Sequence, residues 1–474
     1  MKIRNFIKKN KWTLLFLILI LSFCLFISTF CFFDTDYYWH IKAGKYMVSN
    51  KTILLSDKFS WYLKGTYWFS HEWLFEILLY LLSIIFSKSH VLVIVFLCVF
   101  LLEFIIFITN KKDFLKNIPF SLLWIVFLFI MCGFLCARPH LFSNILLCIT
   151  IYLLRDLFYN PDSKKIYFLP LISIIWVNVH GGSSSLIYIL SFIFLFCGMF
   201  NFNFSKIEAK RLSKKQVYRY LLVIILSIGC LAINPHGVKM ILYPYWNMAD
   251  TFMMEFISEW HQTDFSSIIS FPYLGLLVLI AFIFIFSKKK IRFIDLMLFA
   301  FAAYLGLKSI RFWPYVYIVS SYFVFYYINS RKYDNGSELC FLVLSFCLIL
   351  LSFYRGYRGF APKRTSFISD SKLMSVVKEA NPKRLYNYYD DGGYLIYNDI
   401  DVFVDGRFDL YTKNNINDYY DIFCLNGDFE KLIEKYNFDY YLIPKKSRLS
   451  YYLEKNEKYE KIISRKGIVF YKTK

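Results

Sequence analysis

Apolar residues along this chain come in long, nearly unbroken blocks, separated by short polar stretches. The blocks cover roughly residues 12–33, 90–109, 118–136, 139–154, 166–180, 184–200, 218–234, 270–287, 293–307, 311–329 and 339–353. Their lengths approach what an α-helix needs to cross a bilayer, so the pattern predicts eleven membrane-spanning helices. A twelfth apolar run, 73–87, is 15 residues long and carries Glu76. It is short for a span and predicts an interfacial or re-entrant helix. The first block follows the basic run Lys2, Arg4, Lys8, Lys9 and Lys11 and has no small-residue cleavage site, so it reads as a retained anchor.

Beyond residue 354 the pattern changes. Gly356, Gly359 and Pro362 mark a linker, and the remaining 355–474 alternates apolar and polar positions. Strand-like runs are Arg384–Tyr388, Val402–Val404, Tyr440–Ile443 and Ile468–Tyr471. Helix-like runs are Ser371–Ala380, Gly393–Tyr397, Asp428–Lys435 and Ser447–Lys455. The expected architecture is a polytopic α-helical membrane protein over 1–354, followed by a small α/β domain over 355–474 with its own core.

Charge sets the orientation. If 73–87 does not cross, the inward loops beyond Asn110 hold 18 basic residues, from Lys111 to Lys332. The outward loops hold four, Arg138, Lys239, Lys308 and Arg311, or eight if Arg355, Arg358, Lys363 and Arg364 are added. Basic residues favour the cytoplasmic side. The amino terminus is therefore expected in the cytoplasm and the carboxyl-terminal domain outside the cell membrane. The net charge of +21 is spread over these short loops, which argues against a nucleic-acid partner. Of 11 cysteines, only Cys424 falls outside the apolar blocks, so neither a disulfide framework nor a thiolate metal site is expected.

Under this topology two long loops face outward, 34–89 and 235–269. The first opens with Asp34-Thr-Asp36-Tyr-Tyr-Trp-His40 at the mouth of the first span. Charged groups at that depth are costly unless they bind or catalyse. Helical spacing predicts helices over 36–49 and 72–87. All seven histidines, His40, His71, His90, His140, His180, His236 and His261, fall on the outward side, as do Asp57, Glu72, Arg138, Asn144, Glu259 and Arg311. Glu103 lies inside a span, and the sequence names no partner for it. The outward polar groups read either as interfacial anchors or as the lining of one cavity.

The chain resembles the GT-C superfamily of membrane glycosyltransferases, which carry an acidic pair in the first outer loop, many spans and often an outer carboxyl-terminal domain. Three further pieces resemble the oligosaccharyltransferase catalytic subunit. Phe256-Ile-Ser-Glu259 lies in the second long loop. Tyr388-Tyr-Asp-Asp-Gly392 opens a segment running to Val404-Asp-Gly-Arg407. Arg138 sits in the tight loop between two spans. Tyrosines stand where that family has tryptophans, and His140 and Asn144 stand where it has a second acidic motif. The resemblance thus implies a GT-C-like scaffold without implying asparagine glycosylation.

A transferase facing outward needs a donor delivered through the membrane, so the implied donor is a sugar on a polyprenyl phosphate. The acceptor is a glycan, a lipid or a protein. Asp36 or Asp34 is the candidate catalytic base. Arg138 and Arg311 are candidate phosphate clamps, with His40, His71, Glu72, His140, His180 and Glu259 as further substrate-binding candidates. Asp34, Asp36 and Glu259 are oxygen ligands suited to manganese or magnesium. Asp390, Asp391, Asp405 and Arg407 are read either as turn residues or as an acceptor-recognition lip. The rival functions are a carrier or flippase for a lipid-linked glycan and a non-catalytic envelope-assembly protein.

Overall fold

The structure is a computed structural model that describes residues 2–249, 257–328, 337–357 and 370–474. Asp250, Glu255, Phe256, Gly359 and Pro362 lie outside the described residues. The chain divides into two compact units that interleave in sequence. One comprises Met1–Cys31, Leu92–Leu135 and Pro139–Phe360. The other comprises Phe32–Val91, Cys136–Arg138 and Ala361–Lys474.

The first unit is helical. Every one of the eleven apolar blocks contains helix. Among the described residues, four helices are long and apolar enough to cross a membrane by length and composition: Asn10–Ser28, His90–Lys116, His140–Tyr159 and Ile268–Phe286. Large aromatic side chains fill the space between helices. Trp124 stacks on Tyr317 with ring centroids 5.4 Å apart, and its indole N–H donates to Ser321 at 2.9 Å. Glu103 is buried beside Tyr317, the neighbour that spacing alone does not identify. The last apolar block forms the helix Ser337–Tyr357, so Gly356 continues a helix rather than opening a linker. A small sheet joins β1 (Phe202–Phe204), β2 (Ile207–Ala209) and β3 (Ile291–Arg292). β1 and β2 are antiparallel, and β2 and β3 are parallel.

The second unit is α/β. Its sheet runs β4 (Leu385–Asn387), β5 (Tyr440–Pro444), β7 (Ile468–Thr473), β6 (Tyr459–Arg465). β4 and β5 are parallel, and the other pairs are antiparallel. The four expected tail helices appear as Ser371–Ala380, Gly392–Tyr397, Phe429–Tyr436 and Arg448–Lys455. A fifth, Lys413–Cys424, starts from a Thr412–Asn415 capping box. The expected strand Val402–Val404 is reduced to one bridge, Val402 to Ser60. Asn387 takes over the next backbone group, accepting from the Phe403 N–H at 2.8 Å.

The core of this unit is not made by the tail alone. Trp39, Ala43, Met47, Leu54, Phe59 and Trp68 from the first loop pack with Leu373, Val377, Leu395, Val402, Leu442 and Phe470. Each such side chain contributes about 1.5–3 kcal/mol when fully buried, so the tail depends on the loop for its packing. The loop helices Tyr37–Asn50 and Trp73–Phe86 match the predicted spans to within a residue or two. They approach each other through Gly44, where a Cβ would collide with the Glu76 carbonyl.

Between those helices the irregular stretch is pinned by a buried charge cluster. Arg407 donates to Asp405 twice, at 2.8 and 2.7 Å, and to Asp57 at 2.6 Å. Asp57 also accepts from the Phe59 and Ser60 N–H groups, both at 3.1 Å, and Asp405 accepts from Tyr411 at 2.6 Å. Arg407, Asp405 and Asp57 are 0% exposed at their side chains. Asp405 and Arg407 therefore do not form a recognition lip; they join the loop to the tail within the core.

Candidate active site

A short parallel bridge between Phe32 and Cys136 lays residues 136–138 beside the start of the first loop. That register puts the Arg138 guanidinium across two carboxylates. Its Nη1 lies 3.0 Å from Asp34 Oδ2, and its Nη2 pairs with Asp36 Oδ2. The turn is closed locally, because Asp34 accepts from the Asp36 N–H at 3.2 Å and from Thr35 at 3.1 Å. Asp36 then begins the helix Tyr37–Asn50, and one turn in, the Trp39 indole donates to Asp36 Oδ1 at 3.1 Å.

Two tail motifs form the floor. A Cβ on Gly406 would overlap the Asp36 carboxylate, and one on Gly393 would overlap the Thr35 carbonyl. Val404-Asp-Gly-Arg407 and the Gly392-Gly393 end of the tyrosine-rich motif thus serve as bare backbone against which the acidic pair packs. Glycine is required here for close approach.

One guanidinium shared by two carboxylates leaves a net negative charge, and the two acids respond unequally. For Asp34, burial raises the pKa, but Arg138, the Asp36 N–H and Thr35 outweigh it and hold the carboxyl below its ordinary value. Asp36 is pushed up to about 7, first by burial and then by the negative charge of Asp34, against the pull of Arg138. A carboxylate tuned close to neutrality suits general-base work.

Beside the pair runs a second chain of titratable groups. His40 lies between Glu72 (3.5 Å) and Glu76 (3.3 Å). His71 lies between Glu72 (3.2 Å) and Asp409 (3.7 Å), and the Trp68 indole donates to Asp409 at 3.4 Å. Burial would lower the pKa of His71, but Glu72 and Asp409 raise it to about 10, so it is an imidazolium at neutral pH. Burial raises Glu76, partly offset by His40.

Six of the ten sequence candidates thus meet in one unit: Asp34, Asp36, His40, His71, Glu72 and Arg138. The other four, His140, His180, Glu259 and Arg311, belong to the helical unit. There Arg311 donates to His180 Nε2 at 3.2 Å, while His180 Nδ1 faces Ser143 at 2.6 Å and Ser183 at 2.9 Å. The Trp176 indole donates to both serines at 3.0 Å, and Arg311 lies over the Trp260 ring. His140 is hydrogen-bonded to the Phe134 carbonyl at 2.7 Å, and the Glu259 carbonyl accepts from Ser309 at 2.8 Å. Sequence reasoning missed Trp39, Glu76, Gly406 and Asp409 as parts of the acidic site. The Gly between Asp405 and Arg407 was the available signal for close approach.

Manganese or magnesium was expected on Asp34, Asp36 and Glu259. Among the described residues no group of three or more His, Cys, Asp or Glu forms a metal-ligand set. Asp34 and Asp36 already share a guanidinium. Arranged in this way they do not fit a resident divalent ion.

No protein-family profile matches the chain, and no curated protein matches it in sequence. Among solved structures, the chain is similar to the archaeal oligosaccharyltransferase AglB from Archaeoglobus fulgidus in complex with an inhibitory peptide and a dolichol-phosphate. The TM-score is 0.53 and the identity 12%, over 92% of this chain and 70% of that one. An apo crystal structure of the Archaeoglobus fulgidus oligosaccharyltransferase, at 12% identity over 90% of this chain and 69% of that one, has a TM-score of 0.44, too low to bear on the fold. The expected likeness to the oligosaccharyltransferase catalytic subunit is thus met in the fold: this chain is folded like the archaeal oligosaccharyltransferase AglB.

Proposed function

We propose that this protein is a membrane glycosyltransferase that moves a sugar from a polyprenyl-phosphate-linked donor to an extracytoplasmic acceptor. The observation that carries the proposal is the Asp34–Arg138–Asp36 cluster at the head of the first loop, with Asp36 raised to about 7, on a fold like that of AglB. The AglB structure holds a dolichol-phosphate and an inhibitory peptide. An isoprenoid phosphate is the ligand class that we assign to the donor here.

In this reading Asp36 accepts the proton of an acceptor hydroxyl as the hydroxyl oxygen bonds to the anomeric carbon. The bond from that carbon to the phosphate oxygen breaks, and the polyprenyl phosphate leaves with the electron pair. Arg138 holds the two carboxylates in register, and Asp34 keeps the pKa of Asp36 high enough for the transfer.

We place eleven spans within residues 1–354, with the amino terminus in the cytoplasm and the loop 34–89 and residues 355–474 outside. The basic-residue asymmetry supports this orientation.

The test is Asp36→Asn and Arg138→Ala in a strain with an assayable surface glycan. Loss of the glycan with accumulation of lipid-linked sugar is expected for both. Unchanged glycan and unchanged lipid-linked pools in both variants would rule the proposal out.

A further inference from the structure

The helical unit contains a cavity of about 550 Å³ whose lining includes Tyr159, Phe202, Glu208, Lys210, Arg292 and Phe293. Three helices terminate there: His140–Tyr159 and Leu186–Cys197 at their carboxyl ends, and Phe293–Lys308 at its amino end. The first is 20 residues long, so its two ends are roughly 30 Å apart, one bilayer core. The cavity therefore sits at the membrane boundary opposite His140. By the basic-residue asymmetry, that is the cytoplasmic boundary.

Its chemistry is that of an anion site with apolar walls. Phe293 packs against Phe200 and Phe202 at 5.7 and 5.5 Å. Outside it, Phe196 is 48% exposed and Phe204 77%, so apolar surface continues from the cavity toward lipid.

At its base, Arg292 donates through Nε to Asp295 at 2.6 Å. Arg155 also approaches Asp295, at 3.9 Å, and Tyr327 donates to it at 2.8 Å. Two guanidiniums thus share one carboxylate, leaving an excess positive charge. At the rim Lys210 offsets Glu208. Tyr326 and Tyr159 lie against the guanidinium face, at 4.0 and 5.1 Å. Yet among the described residues the buried Arg292 Nη2 has no acceptor. A buried charged donor left without an acceptor is costly. An anionic acceptor there would both satisfy this donor and offset the excess charge.

We propose that this cavity binds the phosphate of an anionic phospholipid of the cytoplasmic leaflet, with an acyl chain leaving along Phe196 and Phe200. The site is separate from the transfer chemistry and stands whether or not that reading holds. Basic groups beside exposed aromatic side chains favour such a headgroup over a zwitterionic one.

Native mass spectrometry of the full-length chain in detergent tests it, with phosphatidylglycerol, phosphatidylcholine and inorganic phosphate added separately. Phosphatidylglycerol should be retained in preference to phosphatidylcholine. Arg292→Gln should reduce its retention about tenfold and Lys210→Glu about fivefold, with phosphatidylcholine unchanged. Lys210 is exposed, so its variant decides the matter if Arg292→Gln misfolds. Equal retention of the two lipids would overturn the proposal, as would retention indifferent to Lys210→Glu. Inorganic phosphate that displaces the lipid at equal concentration would reassign the site to the free anion and overturn it likewise.

Discussion

The second unit contains two clusters built from the same parts, two aspartates around one arginine, and they differ in what surrounds them. In Asp57–Arg407–Asp405 the side chains are 0% exposed. Backbone N–H groups, Ser60 and Tyr411 donate to the carboxylates beside the guanidinium. Asp57 is held below its ordinary pKa, because Arg407 and its hydrogen bonds outweigh burial. In Asp34–Arg138–Asp36 the side chains keep 12–19% exposure, and Asp36 rises to about 7. Full satisfaction makes the first cluster a clamp. Partial satisfaction and an opening to solvent leave the second with a proton to exchange.

The largest expected effect separates the two by stability. Arg407→Ala should cost about 3–5 kcal/mol, because it strands two buried carboxylates, and it should lower expression and the thermal midpoint of the purified protein. Asp36→Asn should change stability by only about 1 kcal/mol while reducing transfer about 10²–10⁴-fold. If both variants behave alike in unfolding and in transfer, the distinction fails.

Gly406→Ala joins the clusters, since its methyl group meets the Asp36 carboxylate. Transfer should fall about a hundredfold through displacement of the base, with a stability loss of about 1–3 kcal/mol. A fully active Gly406→Ala would mean that Asp36 need not sit where it does.

The smallest effect is a pH dependence of folding. His71 has a raised pKa in the folded state, so its stabilising share is complete below 6.5 and is lost as pH rises toward about 10. His71→Gln should flatten the decline of the thermal midpoint across that window. An unaltered slope would detach His71 from Glu72 and Asp409.

Much of this was legible in the chain. The apolar blocks give the helices because backbone satisfaction and apolar burial act locally. The acidic pair and Arg138 stand out because charges beside a span are costly. The two loop helices follow from their periodicity. What was hidden depends on distant pairing. β6 (Tyr459–Arg465) is a largely exposed edge strand with charged residues and weak alternation, so only its pairing with β7 reveals it. Lys413–Cys424 is held by a capping box and by Ile416, Tyr419 and Ile422, and its asparagines mask the helical pattern. Val402–Val404 looks like a strand, yet its backbone is bonded by Phe59, Trp61 and Asn387 rather than by a neighbouring strand. The tail's core could not be assigned from the tail, because the loop 330 residues upstream supplies part of it.

Asp36 carries an exchangeable proton near neutrality because Asp34 shares Arg138 with it. Infrared difference titration of the purified full-length protein reads it directly, through the carbonyl stretch of a protonated carboxyl. The account predicts a band lost with a midpoint near pH 7, absent in Asp36→Asn and moved to lower pH in Asp34→Asn. A wild-type protein with no carboxyl titrating between about pH 5 and 9, or a midpoint unmoved by Asp34→Asn, would contradict it.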